Sequence, residues 1–210
     1  MDNKIIVVSE DGISHEVDKI DNLKVTFRGG GSVVKIYEPY SFNNATIICG
    51  NNTYVEFGKN IRIRLNLYID ARAKNVRIIF GNNNNIGSAS IFAGDEDDLE
   101  LIISDDFLSA ANVVFRLADG HTVMDKKTGE IINRPVSGIH VGKHVWVGYN
   151  VMILKDVSIP DNCMIGIGSV VSKRFFQENS IIAGVPARII RADIEWDSRP
   201  IKQMIKINDM

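Results

Sequence analysis

The chain has 210 residues, 45% of them hydrophobic and 24% charged, with a formal net charge of −2. That is enough for one domain with a small appendage, and it is unlike a disordered chain. The near-neutral balance gives no reason to expect a nucleic-acid partner. The N-terminal MDNKIIVVSEDG holds only four consecutive apolar residues, and no apolar stretch reaches membrane-spanning length. Neither a secretory leader nor a membrane span is therefore expected. Cys49 and Cys163 read as small core residues, not a disulfide, which points to a cytoplasmic protein.

In chain order, residues 1–22 show no regular rhythm. Ile5–Val8 reads as an edge strand, and EDGISHEVDK as a turn and a polar segment with a solvated His15. From Leu23 to Phe115 a six-residue rhythm is present but ragged. Phe57 with Ile61, Ile63 with Leu67 and Ile69 with Ala73 keep it, and Phe80 and Ile86 resume it. The acidic GDEDDLE (94–100) interrupts it, and Ile103, Phe107, Ser109, Val113 and Phe115 take it up again. Between Val141 and Val171 the rhythm is strict. Every sixth residue is aliphatic (Val141, Val147, Ile153, Ile159, Ile165, Val171), and four residues after each of the first five stands a smaller one (Val145, Val151, Val157, Cys163, Ser169).

A helix repeats near 3.6 and a flat strand at 2, so a period of six means short strand–corner units. The fourth place of each hexad holds His144, Asn150, Asp156, Asn162 or Gly168, and earlier Asn60, Asn66, Asn83, Asp106 or Asn112. These residue types tolerate a left-handed corner. Three hexads would close one triangular coil of about 18 residues, with inward positions alternating along each strand. Raggedness upstream is expected of a solenoid whose coils carry insertions.

Counting on from Phe115, the next aliphatic slot is residue 121, and it holds a histidine. The rhythm returns only by about Ile139. The simplest resolution is that the chain leaves the coil here, extruding an external loop over about 122–138. A histidine at the root of a loop is ordinarily a hydrogen-bonded structural residue, but it also suits general-base chemistry. Asp119 and Glu130 are candidate carboxylates to orient its ring.

Trp146, between inward Val145 and Val147, should point outward, toward a subunit interface or a ligand. His140 and His144 stand four apart off any helix, so no metal site is expected. Lys173, Arg174, Arg188 and Arg191 cluster where the repeat stops, and residues 192–210 would cap the open coil, with Trp196 packed in that cap.

VGKHVWVGYNVMILKDVSIPDNCMIGIGSVVSK followed by IIAGVPARIIR resembles the hexapeptide-repeat acyltransferases with a left-handed parallel β-helix. The similarity is closest to galactoside/maltose acetyltransferases and to capsule and sialic-acid O-acetyltransferases. The left-handed winding is implied by this resemblance alone, since the usual crossover rule would give the opposite hand. The implied organisation is an N-terminal segment 1–22, a β-helix over 23–191 and the cap 192–210.

The resemblance implies a catalytic base at His121, in the matching Gly120–His121 pair before the loop. It implies acetyl-CoA as co-substrate without a metal, a sugar or polysaccharide acceptor, and a homotrimer with sites between subunits. Cofactor-contacting positions would be Trp146, Gly148, Tyr149, Ile167, Ser172, Lys173, Arg188 and Arg191. Gly148, Gly166, Gly168 and Ser169 would let the pantetheine arm come close, and the basic residues would meet its phosphates. His121 and Trp146 lie 25 residues apart. Without a loop of about 13, roughly two hexads remain, which puts them on different faces of one subunit. The expected activity is direct O-acetylation of a surface-polysaccharide sugar. The alternatives are N-acetylation of a nucleotide-linked amino sugar, a metal enzyme like the γ-carbonic anhydrases, and a non-catalytic β-solenoid.

Overall fold

Left-handed corners shape the molecule. A computed structural model describes residues 2–208, so the last two residues of the expected cap lie outside the described residues. Of the ten residues placed at corners by their spacing, all but Asn66 have φ between 53° and 70°. Asn22, Asn52, Asn75, Asp98 and Asn179 adopt the same conformation. An L-residue is strained there, and Asn, Asp and Gly bear it best.

The corners wind the chain into a parallel β-helix of about seven turns. The first face stacks the strands Lys4–Val8, Val33–Tyr37, Tyr54–Phe57, Arg77–Phe80, Glu100–Ile103, Ile139–Val141 and Ser158–Ile159. The second carries Tyr40–Phe42, Leu108–Ser109, Trp146–Val147, Met164–Ile165 and Ile181–Gly184. The third carries Leu23–Phe27, Ala45–Cys49, Val113–Arg116, Met152–Ile153 and Val170–Val171. Two long strands, Ile61–Ala71 and Asn85–Phe92, run from the second face onto the third and join them into one sheet.

The ragged rhythm has a simple origin. Tyr54 pairs with Arg77 and Arg77 with Glu100, partners 23 residues apart. In the strict run Lys143 bonds Asp161 18 residues on, and Trp146 pairs with Met164 at the same separation. The longer coils enclose more volume and are filled by Phe42, Phe57, Phe80, Phe107 and Phe115. Phe57 stacks on Phe80 at 5.0 Å and meets Phe42 edge-on at 5.3 Å. The 18-residue coils are filled by Val, Ile and Cys163.

The structure differs from expectation at both ends. Lys4–Val8 is no separate segment: it pairs in parallel with Val33–Tyr37, so the first coil starts at residue 4, not 23. Its outer edge is covered by Ser14–Glu16, which folds back antiparallel, a common protection for an exposed strand edge. At the other end, Ala187–Arg191 pairs antiparallel with Ile181–Gly184. The tail that follows starts along a corner, where Ile194 N–H bonds Asn179 O and Trp196 reaches His144. A short helix, Ile201–Asn208, follows. Among the described residues no helix is long and apolar enough to cross a membrane.

Cys49 and Cys163 both point into the core. Burial pushes the Cys49 thiol up to about 12 and raises that of Cys163 as well. The thiolate is the reactive form, so the native protein at pH 8 should give no rapid reaction with an aromatic disulfide reagent, and two equivalents once denatured. A fast native equivalent would contradict the packing of the coil.

Candidate active site

The strand Val113–Arg116 ends the third face of its coil, and the chain then leaves the helix. Gly120, at φ 84°, makes the exit turn, and His121 follows it. The extruded segment is a small hairpin. Met124 bridges Ile131, and Asp125 and Glu130 join through the backbone. Asp125 Oδ1 accepts the N–H groups of Lys127 and Thr128 at 2.8 Å, and Gly129 supplies positive φ. The composition DKKTG suits such a turn.

The next coil holds both arms of this loop. Lys155 pairs with the carboxylate of Asp119, just before the exit glycine. Asp156, a left-handed corner residue, accepts the N–H groups of Val136 and Ser137 at 2.8 Å on the returning arm. Asn133 ties arm to arm: its amide donates to His121 O at 2.8 Å and to Asp119 Oδ2 at 2.9 Å, and its oxygen accepts Val123 N–H at 2.8 Å. Between the loop and the corner at residues 96–100 lies a cavity of about 690 Å³ lined by His121, Asp119, Asn133, Arg134 and the acidic corner.

The His121 ring is exposed and has no hydrogen-bond partner among the described residues. The two carboxylates expected to orient it are engaged elsewhere. Asp119 takes Lys155 and Asn133, and these bonds hold its carboxyl below the usual range. Glu130 meets Thr128 at the hairpin tip. Much of the acidic corner is structural: Asp97 accepts Lys74 N–H, Asp98 accepts the Asn75 amide, and Glu100 pairs with Arg77.

The eight expected cofactor positions fall into two groups. Trp146, Gly148, Tyr149, Ile167, Arg188 and Arg191 lie on the second face or the corner beyond it. Trp146 pairs with Met164, Met164 with Ile181, and Ile181 with Arg191. Three strand spacings put Arg191 roughly 14 Å up the face from Trp146. Ser172 and Lys173 lie past Val170–Val171, on the corner that carries His121 two coils below. Arg188, Arg191 and Lys173 are exposed and form no ion pair among the described residues, which suits cations meant for phosphates.

Tyr149 accepts a bond from Asn112, and Ile167 is 75% exposed beside it. The glycines answer to coil stacking. A Cβ at Gly148 would lie 2.9 Å from the Ile165 oxygen and the Ile167 nitrogen, and one at Gly166 would lie 2.7 Å from Ala183 Cβ. Ser169 is buried and bonds Gly166 O and Gly184 N–H. Among the glycines of the strict run, only Gly168, at φ 70°, has open space beside it.

His140 and His144 take separate partners. His140 stands 3.5 Å from Glu100. His144 stacks on Trp196 at 4.0 Å, its Nε2 lies 3.1 Å from Trp196 O, and Trp196 Nε1–H donates to His144 O. Trp196 also stands 6.0 Å from Trp146, so the tail borders the second-face group. Sequence reasoning missed Asn133, Lys155 and the second role of Asp156. Asp156 was legible as a corner, but nothing local in the sequence signals contacts 19 to 36 residues away.

No known family profile matches the chain. A galactoside O-acetyltransferase of Escherichia coli (strain K12) is 34% identical over 150 residues, covering 68% of this chain and 62% of that one. A polysialic acid O-acetyltransferase of Escherichia coli O1:K1 / APEC is 33% identical over 143 residues, covering 68% and 44%. The chain thus spans less than two thirds of the length of either relative. The crystal structure of the polySia specific acetyltransferase NeuO superposes with a TM-score of 0.80 at 28% identity, covering 98% of this chain and 89% of that one. The shared fold is the left-handed parallel β-helix.

Asp156→Gly keeps a residue tolerant of the left-handed corner and removes the carboxylate that holds the returning arm. Tryptic cleavage at Lys126 or Lys127 should speed up several-fold with little change in global melting. Unchanged cleavage would show that Asp156 does not hold the loop.

Proposed function

The chain belongs with the hexapeptide-repeat acetyltransferases, and on that premise we propose that it transfers the acetyl group of acetyl-CoA to a sugar hydroxyl of a surface polysaccharide or its precursor. The observation that carries this is the exposed His121 imidazole, free of partners among the described residues and facing a cavity at the root of a clamped loop. The resemblance in sequence also supports it, since Gly120–His121 matches the Gly-His pair expected to carry the family's base.

In the proposed reaction both substrates bind together. His121 takes the proton of the acceptor hydroxyl as that oxygen bonds to the acetyl carbonyl carbon. A backbone N–H of a neighbouring coil stabilises the oxyanion. The carbon–sulfur bond then breaks, and the same imidazole returns the proton to the departing thiolate. The orienting force on His121 comes through its backbone, since neither Asp119 nor Glu130 reaches the ring.

The site is proposed to lie between subunits of a homotrimer. Two observations support this. The groove residues around Trp146 and the base lie on different faces of one chain. The loop also presents Val123, Met124, Ile131, Ile132 and Val136 to solvent, Ile132 63% and Val136 79% exposed, an apolar surface that calls for a partner. Trp146 and Ile167 would then flank the acyl-carrying arm, and Arg188, Arg191 and Lys173 would meet its phosphates. With acetyl-CoA as donor, the proposed reaction is a cytoplasmic one.

His121→Ala should lower transfer by about 10²–10⁴-fold, the range for loss of a general base. Acetyl-CoA binding, read by calorimetry, should stay within about twofold, because His121 is not among the positions expected to hold the cofactor. Retained transfer would remove His121 from the chemistry.

A further inference from the structure

We propose that Asn133 is the positioning residue of this site, fixing His121 through its own carbonyl and through the residues two before and two after it; the inference rests on the reading of His121 as the base. The Asn133 side chain makes three bonds, to the Asp119 carboxylate, the His121 carbonyl and the Val123 N–H. These are the residue two before the histidine, the histidine itself and the residue two after.

The need for such a clamp is local. Among the described residues the ring of His121 has no partner to orient it. Gly120 precedes it at φ 84°, and a Cβ there would meet only the Arg116 guanidinium at 3.4 Å. The exit joint is therefore loose in itself. Asp119 is fixed from below by Arg116, which donates to its carbonyl, and from the next coil by Lys155. Asn133 carries that fixed point across the glycine to His121 and to the outgoing arm. Displacement of a reacting group by about 1 Å can cost on the order of 10²-fold in rate.

The residue type fits the task. A carboxamide has two N–H donors and an acceptor oxygen. Two acceptors, His121 O and Asp119 Oδ2, fix which end is the NH₂, and Val123 N–H fixes the oxygen. Aspartate at this place keeps the shape but loses both donors and sets a carboxylate against that of Asp119. Serine or alanine cannot span three partners.

The test compares Asn133→Ala and Asn133→Asp with the wild type. Acetyl transfer is followed from acetyl-CoA to a p-nitrophenyl galactoside and to oligosialic acid as probe acceptors, with His121→Ala alongside. Both Asn133 variants should lose about 10–100-fold in kcat with acetyl-CoA KM within about twofold. For Asn133→Asp the rate relative to wild type should rise as pH falls from about 8 to about 5, because protonating the introduced carboxyl removes the repulsion and restores one donor. A merely structural role would lower the melting temperature without producing that slope. The isosteric variant keeps the test open should Asn133→Ala not fold. Wild-type kcat in the variants beside a dead His121→Ala overturns the clamp alone, as does a kcat loss whose ratio stays flat with pH. Full turnover in His121→Ala overturns the base and the clamp together.

Discussion

The left-handed corner is the constraint on which the rest of this molecule depends. A three-sided coil must turn sharply several times per turn, and each turn puts one residue at φ near 60°, where most side chains are strained. Asparagine and aspartate bear that conformation and add a second contribution. Their side chains bond the matching corner of the next coil, as in Asn52 to Asn75 at 3.3 Å, Asn75 to Asp98 at 2.8 Å and Asn60 to Asn83 at 2.9 Å. One residue type therefore solves the backbone turn and the stacking of coils together. Since each coil touches only its neighbours, a deviation at one corner leaves the others intact.

The candidate site occupies one such deviation. At the corner after Val113–Arg116 the chain leaves the helix for some twenty residues, and the helix resumes at Ile139 as though uninterrupted: Leu101 pairs with Ile139 and Ile103 with Val141. The excursion is held by the corner of the coil that follows, where Lys155 takes the outgoing arm and Asp156 the returning one. A corner that elsewhere serves only stacking here anchors the loop bearing the proposed base. The arrangement puts the proposed base on a loop that is held at both arms by a corner of the rigid coil.

The sequence foretold the fold through two periodicities. The six-residue spacing of Val141 to Val171 specified the regular coils, and the spacing of Asn, Asp and His specified their corners. The register break at His121 located the loop. Three things stayed hidden for physical reasons. Coils of 23 residues carry longer strands, so their spacing is not a multiple of six. The clamp by Asn133, Lys155 and Asp156 joins residues 10 to 36 apart, beyond any local signal. The glycines of the strict run looked like room for a ligand, yet the space beside Gly148 and Gly166 belongs to the next coil. A glycine in a sequence cannot say which neighbour comes close.

In the proposed assembly the base of one chain works with the groove of another. Mixing two inactive chains tests it most directly. His121→Ala and Trp146→Ala subunits, each defective alone, should regain transfer when co-expressed, because some interfaces then join an intact His121 to an intact Trp146. With random assembly about a quarter of the interfaces would be intact, so recovery toward that fraction of wild-type activity is the predicted result. No recovery, from mixed assemblies verified by mass, would place both residues in a site built within one chain.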